Sequence, residues 1–289
     1  MRSFAAYNPF VLTVYFFAVS GFAMFSMHPA VTCISLLGAV LLRLTRGGVS
    51  LRGSMLLLGF FLLTALINPL VSHHGATVLF VLNDNPVTLE SLIYGIFASA
   101  SMLSILCWFG SFSRMMTRDK LLYVCGRLSP KLALVLSMAM RYVALLGQQA
   151  RKTAQAQKAL GLYKEDSLYD KLRGGIRIFS VLLTWALENG ITTADSMAAR
   201  GYGIGKRTHF AIFRFTRADG ALLAAIVLCT ALTLSGAGAL SHSFYPYFTV
   251  SASTPLAVCS LISYAILAIL PLCIDGKEAI RWHSSLSRM

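Results

Sequence analysis

Hydrophobic and polar positions alternate on two scales along this chain. Residues 1–112 consist of long apolar runs separated by short polar breaks, whereas residues 113–217 mix apolar positions with many cations. Asn8-Pro9 opens the first run, residues 10–27. After a His28-Pro29 break comes a second run, residues 30–44, with Pro29 suited to the first position of a helix. That run falls short of the roughly 20 residues that a bilayer core requires, a deficit that tilt or a thin edge accommodates. Residues 54–71 form a third run, interrupted near its end by Asn68-Pro69. The polar connection 72–88 predicts a hairpin, with a strand from Val78 and Asn83-Asp84-Asn85-Pro86 as its turn. Thr88 is placed to cap a fourth run, residues 89–112, in which Gly95, Ala98, Ser99 and Ser101 offer a small-residue packing face. Two further runs, 218–240 and 254–274, precede a basic tail.

Composition and charge turn this pattern into a topology. The chain has 289 residues, 56% of them hydrophobic and 12% charged, about half the charged share of an ordinary soluble domain. This predicts a polytopic membrane protein with about six spans. With the N-terminus inside, the outer connections are 28–29, 72–88 and 241–253, and none contains a lysine or arginine. All 25 cations then lie on the cytoplasmic side, as the positive-inside rule requires, and both termini are cytoplasmic. Two apolar stretches of the insert, 132–146 and 176–191, resemble further spans. Counting both would preserve parity but export Arg151, Lys152, Lys158, Lys164, Lys171 and Arg173, so they are expected in the cytoplasm or along its interface. The net charge of +14 is therefore an orientation and partner signal, and nothing in its distribution points to nucleic acid. The first run lacks a small-residue cleavage site and is read as a retained span.

The insert reads as one short and two long helices. Residues 118–126 set Leu121, Leu122, Val124 and Cys125 against Asp119 and Lys120, a pattern expected in the headgroup plane. Ser129-Pro130 begins a helix of about thirty residues, roughly 45 Å long, which ends at Ala159-Leu160-Gly161. Ser167-Leu168-Tyr169-Asp170 resembles a capping box for a second helix of similar length, ending at Ala199-Arg200-Gly201. Gly201, Gly203 and Gly205 follow within five residues, a strong stop. Arginine suits a corner that must meet a carboxylate or carbonyls, because its planar guanidinium bonds in two-pronged fashion where lysine offers a point charge. The alternative is a cation stabilising a helix C-terminus by about 0.3–1 kcal/mol.

Other candidates carry less. Gly201-Tyr202-Gly203-Ile204-Gly205-Lys206 fails as a phosphate loop: the Walker pattern needs glycine at 200 and Ser or Thr at 207, where Arg200 and Arg207 stand. Arg141 and Glu188 interrupt apolar stretches. They either pair where the two long helices cross or face water separately. His28, His73, His74 and His242 lack carboxylate or cysteine companions at ligand spacing and are expected to be solvated loop residues. No metal site is expected. The six cysteines, mostly inside apolar runs and without C-x-x-C spacing, read as small buried hydrophobes with neither disulfide nor metal role. No catalytic set is evident, so the chain is read as non-enzymatic.

The stretches Ala154-Gln155-Ala156-Gln157-Lys158-Ala159-Leu160-Gly161 and Trp185-Ala186-Leu187-Glu188-Asn189-Gly190, followed by Ala194-Asp195-Ser196-Met197-Ala198-Ala199-Arg200-Gly201-Tyr202-Gly203, resemble the transmembrane T component of energy-coupling-factor transporters. The resemblance is strongest over residues 131–207. It implies an all-α membrane protein whose insert couples two cytoplasmic ABC ATPases, here expected to be non-identical, to a small hydrophobic substrate-binding S component. ATP and Mg would be bound by those ATPases, with no cofactor in this chain. It places Ala199, Arg200 and Gly201 at one ATPase contact and Ala159, Leu160 and Gly161 at the other. Leu160 departs from the expected arginine, so either that contact is apolar or Lys158 substitutes. The resulting division is a four-span unit 1–112, a coupling unit 113–207 and a two-span unit with tail 208–289. The cargo implied is a vitamin, metal ion or other micronutrient. A permease of a binding-protein-dependent importer and a membrane scaffold remain the rival readings.

Overall fold

The computed structural model describes residues 4–45, 51–71, 75–82, 85–162, 168–205, 213–245, 249–251 and 254–286. Helices dominate: α1 (Pro9–Phe25), α2 (Pro29–Thr45), α3 (Leu51–Val71), α4 (Leu89–Met115), α5 (Arg118–Leu128), α6 (Pro130–Ala159), α7 (Leu168–Ala199), α8 (Arg217–Ala237) and α9 (Pro255–Leu286). Two antiparallel hairpins accompany them, β1 (Val78–Leu82) with β2 (Asn85–Thr88), and β3 (Ser241–Ser243) with β4 (Thr249–Ser251). Contacts divide the chain into two compact units, one of residues 1–120 and 213–289, the other of residues 121–212.

In the first unit α4 packs against α1, α2 and α3, while α9 packs against α8, α2 and α1. Between apolar helices in lipid there is no hydrophobic drive to associate, so close backbone approach and interhelical hydrogen bonds take its place. Gly95 lets α4 meet α3: a Cβ there would lie 2.8 Å from the Ala65 carbonyl oxygen. Gly236 does the same for α8 and α9. Trp108, fully buried, donates from Nε1 to Ser35 Oγ at 3.1 Å, and Tyr15 Oη donates to the Leu267 carbonyl at 3.0 Å. Of the anticipated small face on α4, Gly95, Ser99 and Ser101 are buried and Ala98 is half-buried.

Two carboxylates, Asp219 buried and Asp275 half-buried, anchor the segment ahead of α1. Asp275 Oδ1 accepts from Phe4 N at 2.8 Å and Asp219 Oδ1 from Asn8 N at 3.0 Å. Asp219 also closes a capping box with Thr216 at the start of α8, so one side chain fixes a helix start and a distant segment.

Several boundaries differ from the sequence expectation. The β3–β4 hairpin lies where the sequence reads as a plain outer loop, because three-residue strands are too short to show alternation. Asn85 and Pro86 belong to strand β2 and not to the turn. Helix α9 runs to Leu286, through the expected tail, since Gly276 alone interrupts helix-forming residues there. Lys120 is buried, with Nζ donating to the Ala5 carbonyl at 2.5 Å and the Met115 carbonyl at 3.0 Å. It serves carbonyls that helix ends leave unsatisfied, and not the headgroup plane. His28 is likewise buried, 1% exposed, with its carbonyl accepting from Thr32 N. His73, His74 and the Ser167 cap lie outside the described residues.

Five described helices, α3, α4, α6, α8 and α9, are long and apolar enough to cross a membrane, and α1 and α2 are shorter apolar helices. Helix α6 qualifies through its N-terminal half. Beyond Gln148 it is polar and charged.

Candidate functional site

The second unit is built on α6 and α7, which pack together. Tyr142 marks the crossing. Its Oη lies 3.0 Å from the Asn189 carbonyl and 2.8 Å from Thr193 Oγ1, and Thr193 in turn donates to the Asn189 carbonyl at 2.6 Å. Arg141 and Glu188 are each one residue away, and both are exposed. The hydrogen bonds at the crossing are thus made by a neutral tyrosine–threonine pair. A tyrosine amid apolar positions was the sequence signal for it, because a buried hydroxyl needs a partner. Tyr142→Phe is expected to remove about 1 kcal/mol, and so to speed amide exchange of α7 residues 189–199 about fivefold by mass spectrometry. Unchanged exchange would mean that packing alone holds the crossing.

Chain geometry fixes how the two helices run. From Tyr142 to Ala159 is about 26 Å, and from Leu168 to Asn189 about 32 Å. The residues between Ala159 and Leu168 reach at most about 30 Å. Parallel helices would separate those two ends by nearly 60 Å, and a right-angle crossing by about 40 Å. The pair therefore folds back at an acute angle, which places the end of α6 and the end of α7 on opposite sides of the crossing. About 35–40 Å of helix separates them.

Both ends have the same construction. At the end of α6, Leu160 N donates to Ala156 O, Gly161 N to Lys158 O, and Leu162 N to Gln157 O, at 3.1, 3.0 and 3.2 Å. At the end of α7, Arg200 N donates to Ser196 O, Gly201 N to Ala198 O, and Tyr202 N to Met197 O, at 3.2, 3.0 and 3.0 Å. The paired 5→2 and 6→1 bonds are a Schellman motif, with glycine where the chain turns left-handed. Gly161 has φ +66° and Gly201 φ +73°, a conformation that costs a side-chain-bearing residue steric strain.

This turn lifts the residue before the glycine out of the helix. Leu160 is 75% exposed, and Ala159, Lys158, Ala199 and Arg200 are exposed as well. Among the described residues no acceptor binds the Arg200 guanidinium, so it is available to a partner. Lys158 precedes Leu160 by two residues, about 200° around the helix. It stands on the other side of the corner and does not occupy the position of the missing arginine. Beside the α7 corner, Leu134, Met138 and Tyr142 of α6 face Thr193, Met197 and Tyr202 across a hollow of about 410 Å³. Ile204, 88% exposed, lies just beyond.

All six cysteines are free thiols, but only Cys107 is buried while Cys33, Cys259 and Cys273 are exposed on outward helix faces, contrary to the sequence expectation. Among the described residues no three His, Cys, Asp or Glu side chains converge as a metal site.

The model of the CbiQ family, described as cobalt transport protein, matches residues 6–210. The chain belongs to the CbiQ family. Similar curated proteins include the energy-coupling factor transporter transmembrane protein EcfT of Lacticaseibacillus paracasei, 31% identical over 106 residues, which cover 36% of this chain and 40% of that protein. The EcfT of Listeria innocua is 33% identical over 104 residues, 35% of this chain and 39% of that protein. The matched stretch thus spans about two fifths of the length of these relatives. As a CbiQ-family chain with this helix set, it is an all-α, multi-pass membrane protein.

Proposed function

We propose that this CbiQ-family chain is the coupling subunit of an energy-coupling-factor importer. It joins two cytoplasmic ATPases to a small membrane-embedded subunit that binds a micronutrient, either a vitamin or a metal ion. The observation that carries the reading is the pair of identically hydrogen-bonded corners at opposite ends of one helical hairpin. Two like sockets on two related ATPases would each receive one corner. Arg200 would bond a carboxylate or carbonyls in one socket. Leu160 would bury apolar surface in the other, so the two sockets should differ chemically.

Charge supports a cytoplasmic location for this hairpin and for both termini. All lysines and arginines fall on one side if α6 and α7 do not span, and this holds although α6 is long and apolar enough to cross a membrane. With no nucleotide loop or catalytic set in its sequence, the chain transmits work and does no chemistry itself. ATP binding would draw the sockets together, moving the corners and thereby the hairpin surface on which the substrate-binding subunit rests. Coupling requires only that each ATPase state bind one hairpin arrangement better than the other.

Affinity purification of the chain from its native membrane tests the assignment. Two ATPases with a small hydrophobic subunit are expected. ATPases with a soluble binding protein would make it an ordinary permease, and neither would make it a scaffold.

A further inference from the structure

The first unit contains a slot that helix packing leaves unfilled. Helices α2 and α3 each pack along α4, which floors a groove of about 300 Å³ between them. Its lining is graded. Arg43, in the last turn of α2, and Ser54, in the first turn of α3, line the end nearest the α2–α3 connection. Seven residues deeper on each helix stand Leu36 and Phe61, with Leu103 of α4 on the floor. Val40 and Leu58 form exposed apolar lips midway.

We propose that this slot binds one anionic glycerophospholipid of the adjacent leaflet. The phosphate would sit on Arg43 and Ser54, and an acyl chain would lie between α2 and α3. Three observations select this occupant. The first is dimension: seven helical residues measure about 10 Å, which fits within the roughly 15 Å depth of one leaflet's hydrocarbon. The second is polarity, since the cation and hydroxyl lie at the helix ends and only apolar side chains line the deep part, which is the order of groups along a phospholipid. The third is charge. Among the described residues no carboxylate lines the slot, and Arg52 stands exposed in the first turn of α3, so a headgroup of net negative charge is favoured over a zwitterion. Arg43 is half-buried and lines the slot with its guanidinium near the buried Cys107 thiol. The inference does not depend on the coupling role, because a membrane protein of any function could carry such a site.

Native mass spectrometry of the full chain in detergent, with equimolar dioleoylphosphatidylglycerol and dioleoylphosphatidylcholine, tests the proposal. The wild type is expected to retain one phosphatidylglycerol in preference to phosphatidylcholine by roughly five- to tenfold. Arg43→Gln should bring the two lipids to parity, while Arg52→Gln, outside the slot, should keep most of the preference. Leu58→Trp leaves Arg43 in place and fills the groove from a lip that is already exposed, so it tests the acyl site without endangering the fold. It should lower retention of both lipids. A phosphatidylglycerol preference that survives Arg43→Gln would overturn the proposal, as would undiminished retention in Leu58→Trp. So would loss of all bound lipid when the transporter assembles, because a partner helix would then be the occupant.

Discussion

Arg200→Glu is expected to release the ATPase subunits while leaving the protein in the membrane. The side chain is exposed and, among the described residues, has no acceptor, so the described fold does not rest on it. In the proposed socket it forms a charge-assisted bond, and reversing its charge both removes that bond and places like charges together. Breaking a desolvated charge contact costs about 2–5 kcal/mol, so ATPase retention on affinity purification should fall at least about 30-fold at the lower bound. Arg200→Lys should lie between, because an ammonium keeps the charge and loses the two-pronged geometry. Leu160→Ala should weaken retention less, since the apolar burial of one leucine is worth only about 1.5–3 kcal/mol. Full ATPase retention and full ATP-driven uptake in Arg200→Glu would end the coupling assignment.

Gly236→Ala is expected to have a large effect for a single added methyl group. A Cβ at this position would stand 2.6 Å from the Leu256 carbonyl oxygen and 2.5 Å from Ser260 Cβ. One of these is backbone, and the other belongs to a fully buried side chain, so neither can yield without moving α8 away from α9. Separation would also stretch the Ser260 bond to the Thr233 carbonyl and the Ser263 bond to the Cys229 carbonyl, at 3.1 and 2.9 Å. Overpacking of this kind costs about 1–3 kcal/mol, and the midpoint of thermal unfolding in detergent should fall by several degrees. Gly110→Ala, where nothing lies within 4 Å of the added carbon, is the matched control. Equal melting of the two variants would show that α8 and α9 do not approach as closely as described.

The legible part of this molecule was written in local chemistry. Pro130 and Gly161 bound α6, and Gly201 closes α7, because proline at a helix start and glycine beyond its end act through their own backbones. Thr88 accepts from Ser91 N at the start of α4 for the same reason. What stayed hidden depends on residues far apart in sequence. Lys120 sits on the charged side of an amphipathic pattern, and only the carbonyls of Ala5 and Met115 explain its burial. Neither corner's second bond could be read ahead of time, since Leu162 and Tyr202 carry no distinguishing side-chain feature. The equivalence of the two ends emerged from backbone geometry. Leu160 against Arg200 looks like a mismatch in letters and is a match in shape. Of the two readings of Arg141 and Glu188, exposure of both side chains agrees with each facing outward separately, and the crossing bond falls to Tyr142, about 100° around the helix from Arg141.

The position of Tyr142 makes the hairpin an unequal lever. Seventeen residues separate this pivot from the Leu160 corner side, and only six to ten separate its partners Thr193 and Asn189 from Ala199, arms of about 26 and 9–15 Å. Two partners advancing by equal distances would rotate the short arm through about two to three times the angle of the long one. The arm that bears Arg200 would therefore convert a small stroke into the greater turn, and the Leu160 arm would need a longer stroke to match it.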